Sequence, residues 1–101
     1  MLTTGCRMAV ATVHGEIVGY SCVEMKGEVG HIARVAVHPH WQEQGIGRQL
    51  VLDAMHYLSE AGATRLSLNT QQSNRRALHL YESLQFRRFG RVIPVLEKHL
   101  E

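Results

Sequence analysis

Apolar and polar residues alternate through the first third of the chain in runs that are typical of β-strands. Residues 8–13, MAVATV, and residues 16–25, EIVGYSCVEM, are two such runs, and the dipeptide His14-Gly15 between them is a two-residue hairpin signal. A third run, VGHIARVAVH over residues 29–38, stops at Pro39, because proline cannot continue a central strand. The pattern predicts two successive antiparallel hairpins, which form a three-stranded meander.

The pattern then changes to the period of an amphipathic helix, which begins near Gly47 and has a suitable stop at Gly62. A strand over residues 64–69, TRLSLN, precedes a second helix capped by Ser73 or Asn74. The final stretch, FRRFGRVIPVLEKHL, predicts two short strands bent around a glycine. The order βββ-α-β-α-ββ indicates one α+β domain over residues 1–101, with helices packed on a sheet. The predicted core positions are Leu50, Val51, Ala54, Met55 and Leu58 in the first helix and Ala77, Leu80, Tyr81 and Leu84 in the second.

Composition and charge exclude several classes of partner. The net charge of +2 over 101 residues does not demand a nucleic-acid surface. No apolar run approaches the ~20 residues that span a bilayer, so no membrane partner is expected. Cys6 and Cys22 lack C-x-x-C spacing and are interpreted as reduced thiols of a cytoplasmic protein. His38 and His40 lie close together, but no third ligand falls at a recognisable spacing, so no metal site is expected.

The glycine loop, residues 42–48 with the sequence QEQGIGR, lies between the third strand and the first helix. A helix N-terminus leaves several backbone N–H groups unpaired and carries a partial positive charge of about half a unit. Gly45 and Gly47 let the main chain turn sharply and remove the Cβ atoms that would keep a phosphate away. Arg48 adds a cation in the first turn. The loop therefore indicates a phosphate or pyrophosphate site, with a tight strand-to-helix connection as the alternative.

Two common nucleotide-binding motifs do not fit this loop. A P-loop needs G-K-S or G-K-T after four spacer residues, and the chain contains no such string. The dinucleotide fingerprint needs a third glycine three positions after Gly47, where Leu50 stands.

Two separated segments together resemble the GNAT superfamily of N-acetyltransferases. VAVHPHWQEQGIGRQLV contains a Q/R-x-x-G-x-G/A loop, with Gln42, Gly45 and Gly47 at the motif positions. SNRRALHLYESLQF is similar to the family's N-x-x-A-x-x-x-Y-x-x-x-G-F helix, with the matching positions Asn74, Ala77, Tyr81 and Phe86. The resemblance covers about residues 8 to 97. It implies a GNAT-like mixed, mainly antiparallel sheet and transfer of an acetyl group from acetyl-CoA to an amine by direct attack in a ternary complex.

The resemblance also implies where the coenzyme, a co-substrate, is held. The pyrophosphate would rest on the glycine loop, and the pantetheine arm would bond the main chain of the preceding strand. The family's fourth and fifth strands splay apart, so the thioester can sit between them. The implied coenzyme contacts are Val35, Ala36, Val37, Gln42, Glu43, Gln44, Gly45, Ile46, Gly47, Arg48, Asn74 and Tyr81.

Tyr81 is the residue to which the resemblance assigns chemistry, since the family's matching tyrosine faces the coenzyme sulfur and protonates the departing thiolate. Its helical spacing alone is equally typical of a core aromatic residue. A phenol with a pKa near 10 is a weaker acid than a thiol near 8.5, so complete proton transfer is uphill by roughly 2 kcal/mol. Tyr81 is therefore expected to act mainly as a hydrogen-bond donor. A backbone N–H near Val37 would hold the carbonyl oxygen.

The general base is left open by the sequence. Some relatives place a glutamate at the position of Asn69, whose amide cannot accept a proton. The remaining candidates are Glu24, Glu28, His31 and His38, and each is also typical of a solvated surface side chain.

The chain departs from the family in its short N-terminal part, because the glycine loop begins only about forty residues in. The usual first strand and two helices, which build much of the acceptor pocket, are largely missing. Gln85 also replaces the family's glycine after the second helix. An alternative function is therefore a weakly active coenzyme-binding or regulatory module, or a fragment of a larger acetyltransferase. MAVATV is a candidate edge strand with unpaired backbone N–H and C=O groups, and the terminal RVIPVLEKHL is a second apolar segment that a single chain would expose. Together they predict a homodimer.

Overall fold

The computed structural model describes residues 6–70, 75–89 and 95–100 of the chain. Its order of elements confirms the predicted βββ-α-β-α-ββ arrangement. Ser73, Asn74, Gly90 and Pro94 lie outside the described residues. The elements are β1 (Cys6–Val13), β2 (Glu16–Lys26), β3 (Val29–Val37), a 3-10 helix (Pro39–Trp41), α1 (Ile46–Glu60), β4 (Arg65–Asn69), α2 (Arg75–Ser83), β5 (Arg87–Phe89) and β6 (Val95–His99).

The strands form one mixed sheet in the order β1-β2-β3-β4-β6-β5, in which only β3 and β4 pair in parallel. The first three strands are the predicted meander. At their first turn His14 and Gly15 have φ values of 51° and 82°, the conformation that a type I′ hairpin turn requires at both central positions. Strand β6 lies between β4 and β5, an order that the sequence pattern does not predict.

Helix α1 packs one apolar face on the sheet. Leu50, Val51, Ala54 and Leu58 are buried as predicted, and Met55 is half-buried against the same core. The close approach of Leu58 depends on Gly30, because a Cβ atom at Gly30 would come within 2.9 Å of the leucine side chain. Removing apolar surface from water stabilises this layer by roughly 25 cal/mol per Å².

Helix α2 packs on the same face of the sheet as α1, and it buries Leu78 and Tyr81. The predicted core face was partly wrong, because Leu78 is buried while Ala77 and Leu80 are only half-buried. The chain leaves α2 through Gln85 at a φ of 76°, so a non-glycine residue does occupy the left-handed turn, as expected from the missing glycine.

The opposite face of the sheet is covered by no helix among the described residues, and we call it the open face. Strand register and exposure place Met8, Val10 and Ile17 on it near the β1 edge, and their side chains are 63%, 52% and 67% exposed. Polar side chains occupy the open face farther along the sheet. No helix in the described part of the chain is long and apolar enough to cross a membrane.

Strands β3 and β4 pair over four residues only, from Val29–Arg65 to Ile32–Leu68. At this point β3 carries an extra residue, Ala33, because Ile32 pairs with Val23 while Arg34 pairs with Cys22. A bulge bends its strand and interrupts the ladder. Beyond the Ile32–Leu68 pair the two strands no longer pair, and we call this point the fork.

Candidate functional site

A cleft of about 300 Å³ lies between the second half of β3, the N-terminus of α1 and α2. Strand β3 and the glycine loop form one wall, and α2 forms the other. The lining residues are Val35, Val37, Gln42, Glu43, Gly45, Gly47, Arg48, Arg76, Ala77, Leu80 and Tyr81.

The glycine loop turns directly into α1 at the mouth of this cleft. Gly45 is the N-cap residue, with a φ of 84°, and it supplies no capping side chain. The N–H of Gln49 makes the first helical bond, to the Gly45 carbonyl at 3.0 Å. The N–H groups of Ile46, Gly47 and Arg48 come before this bond and therefore have no acceptor within the helix. The first turn of α1 contains no acidic side chain, so its positive end is not neutralised from within the helix.

Gly47 determines how much space remains in the cleft. A Cβ atom there would lie 3.7 Å from Val37 Cγ2 and 4.0 Å from Leu80 Cδ2, which are ordinary contact distances. Its backbone φ is not in the left-handed region, so the fold tolerates a side chain at this position. The backbone therefore does not require a glycine at position 47, and the missing side chain leaves space in the cleft.

Arg76 joins the two walls of the cleft at its mouth. Its guanidinium donates to Gln42 Oε1 at 3.2 Å and lies 3.4 Å from Glu43 Oε1. Gln42 in turn donates from Nε2 to the Val37 carbonyl at 3.0 Å, which ties the loop back to β3. The Arg76 and Glu43 side chains are 63% and 71% exposed, so the ion pair contributes at most about 1 kcal/mol. A ligand phosphate can therefore compete for Arg76.

Tyr81 lines the cleft and is 8% exposed. Its ring meets Phe86 edge to face, with centroids 6.1 Å apart. Burial raises the pKa of the Tyr81 hydroxyl, which therefore stays protonated throughout the neutral range. A proton donor that keeps its proton is suited to hydrogen-bonding an anion in the cleft.

The structure brings most of the residues implied as coenzyme contacts around one cleft, but not all of them. Ala36, Gln44 and Ile46 are not among the lining residues, and Ala36 points to the open face because it pairs with Tyr20. Asn74 lies outside the described residues. The cleft residues that were not assigned to the site from the sequence are Ala77, Leu80 and Arg76. Arg76 had one usable signal, a cation in the first turn of the second helix.

A second cavity, of about 490 Å³, lies between β1 and α1. Arg7 and Asp53 form an ion pair across it at 3.2 Å, and the Arg7 guanidinium also lies 4.3 Å from the centre of the Tyr57 ring. Its charged groups are thus already paired with each other, and its lining residues include none of the first three residues of α1. The smaller cleft is the better candidate for an anionic ligand.

Comparison with known proteins identifies the family. The sequence model of the acetyltransferase (GNAT) family matches residues 2–86. The chain belongs to this family. The resemblance found in the glycine loop and the second helix is thereby confirmed, and the cleft lies where the two motifs of this GNAT protein meet.

Curated relatives and solved structures agree with this assignment. The chain is 37% identical over 77 residues to mycothiol acetyltransferase of Thermomonospora curvata, and the match covers 75% of this chain and 26% of that protein. It is 35% identical over 80 residues to the N-terminal acetyltransferase A complex catalytic subunit ard1 of Schizosaccharomyces pombe, which covers 71% of this chain and 45% of that protein. The chain therefore spans less than half the length of these relatives.

Two solved structures show that the fold is that of the GNAT family. PaiA N-acetyltransferase from Thermoplasma acidophilum, in complex with coenzyme A, matches with a TM-score of 0.88 at 16% identity, over 95% of this chain and 62% of that one. A GNAT family acetyltransferase from Elizabethkingia anophelis with acetyl-CoA bound matches with a TM-score of 0.85 at 23% identity, over 96% of this chain and 78% of that one. The predicted α+β fold is confirmed.

Proposed function

We propose that this chain binds acetyl-CoA in the cleft and transfers the acetyl group to an amine. The observation that carries the proposal is the cleft itself, in which an acid-free helix N-terminus lies at one end and a buried, protonated tyrosine at the other. The family and the coenzyme-bound relatives support the same chemistry.

The glycine loop would hold the pyrophosphate. The N–H groups at the start of α1 supply hydrogen bonds and the positive end of the helix dipole. Arg48 and Arg76 lie beside this position and add charge-assisted contacts. Asn74 remains a predicted contact from the start of the second helix.

The pantetheine arm would run along β3 towards the fork. Residues 34–37 pair with β2 on one side, while β4 no longer pairs with β3 on the other. Five residue steps from Ile32 to Val37 at about 3.3 Å each give about 16 Å between the fork and the loop. An extended arm that bonds the free edge of β3 would place the thioester near the fork, beside Tyr81.

Tyr81 would then stabilise the leaving thiolate as a hydrogen-bond donor. Because burial raises its pKa, the phenol is a still weaker acid than an ordinary tyrosine, and complete proton transfer to a thiolate becomes less favourable. A hydrogen bond to the developing negative charge lowers the barrier without that transfer.

The proposal is tested by binding and by turnover. Calorimetry should detect binding of coenzyme A and acetyl-CoA, and free thiol should be released from acetyl-CoA when amines are supplied. If the coenzyme binds but no amine of a broad panel causes thiol release, the result favours the alternative, a coenzyme-binding or regulatory module. Asn69 at the end of β4, which offers no base, is the feature in favour of that alternative. Absence of binding contradicts both.

A homodimer and a cytoplasmic location are further parts of the proposal. β1 lies at the edge of the sheet, and the exposed side chains of Met8, Val10 and Ile17 form an apolar patch beside it. Burying that patch against a second copy would be most simply achieved with two-fold symmetry. Light scattering should give twice the 11.4 kDa chain mass, and Val10→Lys should weaken the dimer. Leu52→Lys, on the exposed side of α1, is the matched control; a wild-type monomer at micromolar concentration contradicts the proposal.

A further inference from the structure

A pair of polar side chains lies on the open face directly below the fork. His31 Nδ1 and Ser67 Oγ are 2.8 Å apart, and both residues are half-buried. We infer that His31 is the general base that deprotonates the acceptor amine and that Ser67 positions its ring. This inference rests on the proposed function and names the residue that the sequence left open.

The position of His31 follows from the strand register. His31 pairs with Ser67, and the next pair, Ile32 with Leu68, points into the core beneath the helices. His31 and Ser67 are therefore the last paired side chains on the open face before the strands separate. A thioester held at the fork is accessible from that face, so an amine that approaches it passes beside the imidazole ring.

The hydrogen bond to Ser67 orients the ring for this task. When Nδ1–H donates to Ser67 Oγ, the neutral ring carries its lone pair on Nε2, which can accept a proton. Glu24 lies directly across the strand pair from His31, but on β2, one strand farther from the fork than β3, and its Oε1 lies 3.9 Å from Lys26 Nζ. The other charged or titratable groups that register places on this part of the face include Lys26 and Cys22 on β2, Arg34 on β3, Arg65 on β4 and Glu97 on β6.

Glu28 and His38, two of the other candidate bases, are less well placed. Glu28 is in the turn before β3, where its carbonyl accepts the N–H groups of Thr64 and Arg65, at the end of β4 away from the fork. His38 follows the end of β3 near the glycine loop, and its Nδ1 already accepts the N–H of His40 at 3.1 Å. Both residues are exposed, whereas His31 is half-buried.

The step balances with these groups. His31 Nε2 takes one proton from the ammonium form of the acceptor and later releases it to solvent. The neutral amine attacks the thioester carbonyl, so that a C–N bond forms and the C–S bond breaks. The second amine proton leaves with the coenzyme thiol, while Tyr81 keeps its own proton and donates a hydrogen bond to the sulfur. The products are an acetamide, coenzyme A and one proton.

The test compares two acceptors that differ in their need for a base. A short peptide with a free α-amine is partly protonated at pH 7, because the pKa of this group is near 8. Hydroxylamine is already neutral at that pH and needs no base. His31→Gln should lower kcat/KM for the peptide about 100-fold, yet leave hydroxylamine-dependent thiol release within about threefold of wild type.

Three further variants separate catalysis from structure. His38→Gln is the matched control and should behave as wild type. Ser67→Ala should lower kcat for the peptide about tenfold at unchanged coenzyme affinity, and Ser67→Thr should restore it. In His31→Gln, the acidic limb of the peptide pH profile should follow the ionisation of the amine alone. Equal losses with both acceptors, or no loss, would overturn the role of His31 alone; a wild-type protein that acetylates neither acceptor would overturn the proposed function with it.

Discussion

Replacing Gly47 by alanine should separate coenzyme binding from folding, because the two effects are expected to have opposite signs. The added Cβ would lie at 3.7 Å from Val37 and 4.0 Å from Leu80, so it fills cleft space without a clash. Position 47 is already helical, and alanine is a better helix former than glycine by up to about 1 kcal/mol. The free energy of unfolding should therefore stay the same or rise, with a Tm increase of up to about 4–8 °C.

Coenzyme affinity should fall in the same variant. The methyl group would hold the pyrophosphate away from the backbone N–H groups of the first helical turn. Losing one hydrogen bond to a charged group costs about 1.5–3 kcal/mol, which corresponds to a roughly 10- to 150-fold weaker Kd. Calorimetry with coenzyme A measures this change, and thermal unfolding without ligand measures the stability.

Two other glycines serve as controls for backbone strain. Gly45 and Gly62 have φ values of 84° and 102°, and neither would place a Cβ within 4 Å of other atoms. Alanine at either position should cost about 1–2 kcal/mol of stability, yet only Gly45→Ala should also weaken coenzyme binding, since Gly62 ends α1 far from the cleft. A Gly47→Ala protein with wild-type affinity would refute the loop as the pyrophosphate site.

Four further outcomes follow from the site and its surroundings. Tyr81→Phe should lower kcat by roughly ten- to a thousandfold at nearly unchanged coenzyme affinity, and wild-type turnover would return Tyr81 to a packing role only. The pKa of Tyr81 is higher in the folded protein than in the unfolded chain, so its contribution to stability is complete below about pH 10 and is lost as the pH rises through the folded-state pKa. Above about pH 10, the Tm of Tyr81→Phe should therefore fall less steeply than that of the wild type. Gln85→Gly should raise Tm by several degrees. The glycine removes the strain of a left-handed φ of 76°, and this gain should exceed the roughly 1 kcal/mol that the extra conformational entropy of glycine in the unfolded chain costs. A lower Tm would contradict this account. Arg76→Ala should weaken coenzyme binding about five- to tenfold, whereas Glu43→Gln should strengthen it slightly by removing a competing carboxylate; calorimetry at low and high salt distinguishes the two charges.

Local features of the fold could be predicted because they depend on neighbouring residues. The turn at His14-Gly15 requires two left-handed residues in succession, and the face of α1 follows from apolar residues spaced for a helix. Helix α2 was predicted less well. It is only nine residues long and contacts both the core and the cleft, so periodicity alone did not distinguish buried Leu78 from half-buried Leu80.

Features that depend on strand pairing could not be predicted from the pattern. The insertion of β6 between β4 and β5 leaves no local signal, because all three strands are short and partly apolar. The contact of Arg76 with Gln42 joins residues 34 positions apart. Similarly, His31 could not be preferred over the other candidate bases until the register of β3 against β4 placed it beside Ser67.

The extra residue at Ala33 changes how positions along β3 must be counted. Before it, odd-numbered residues such as His31 point to the open face; after it, odd-numbered Val35 and Val37 point to the cleft. Deleting this one residue would restore a regular strand without turning its second half, because Arg34 would then follow Ile32 directly and still pair with Cys22. An alignment with a relative that lacks this insertion must therefore place a gap here, or it will exchange open-face positions for cleft-facing ones.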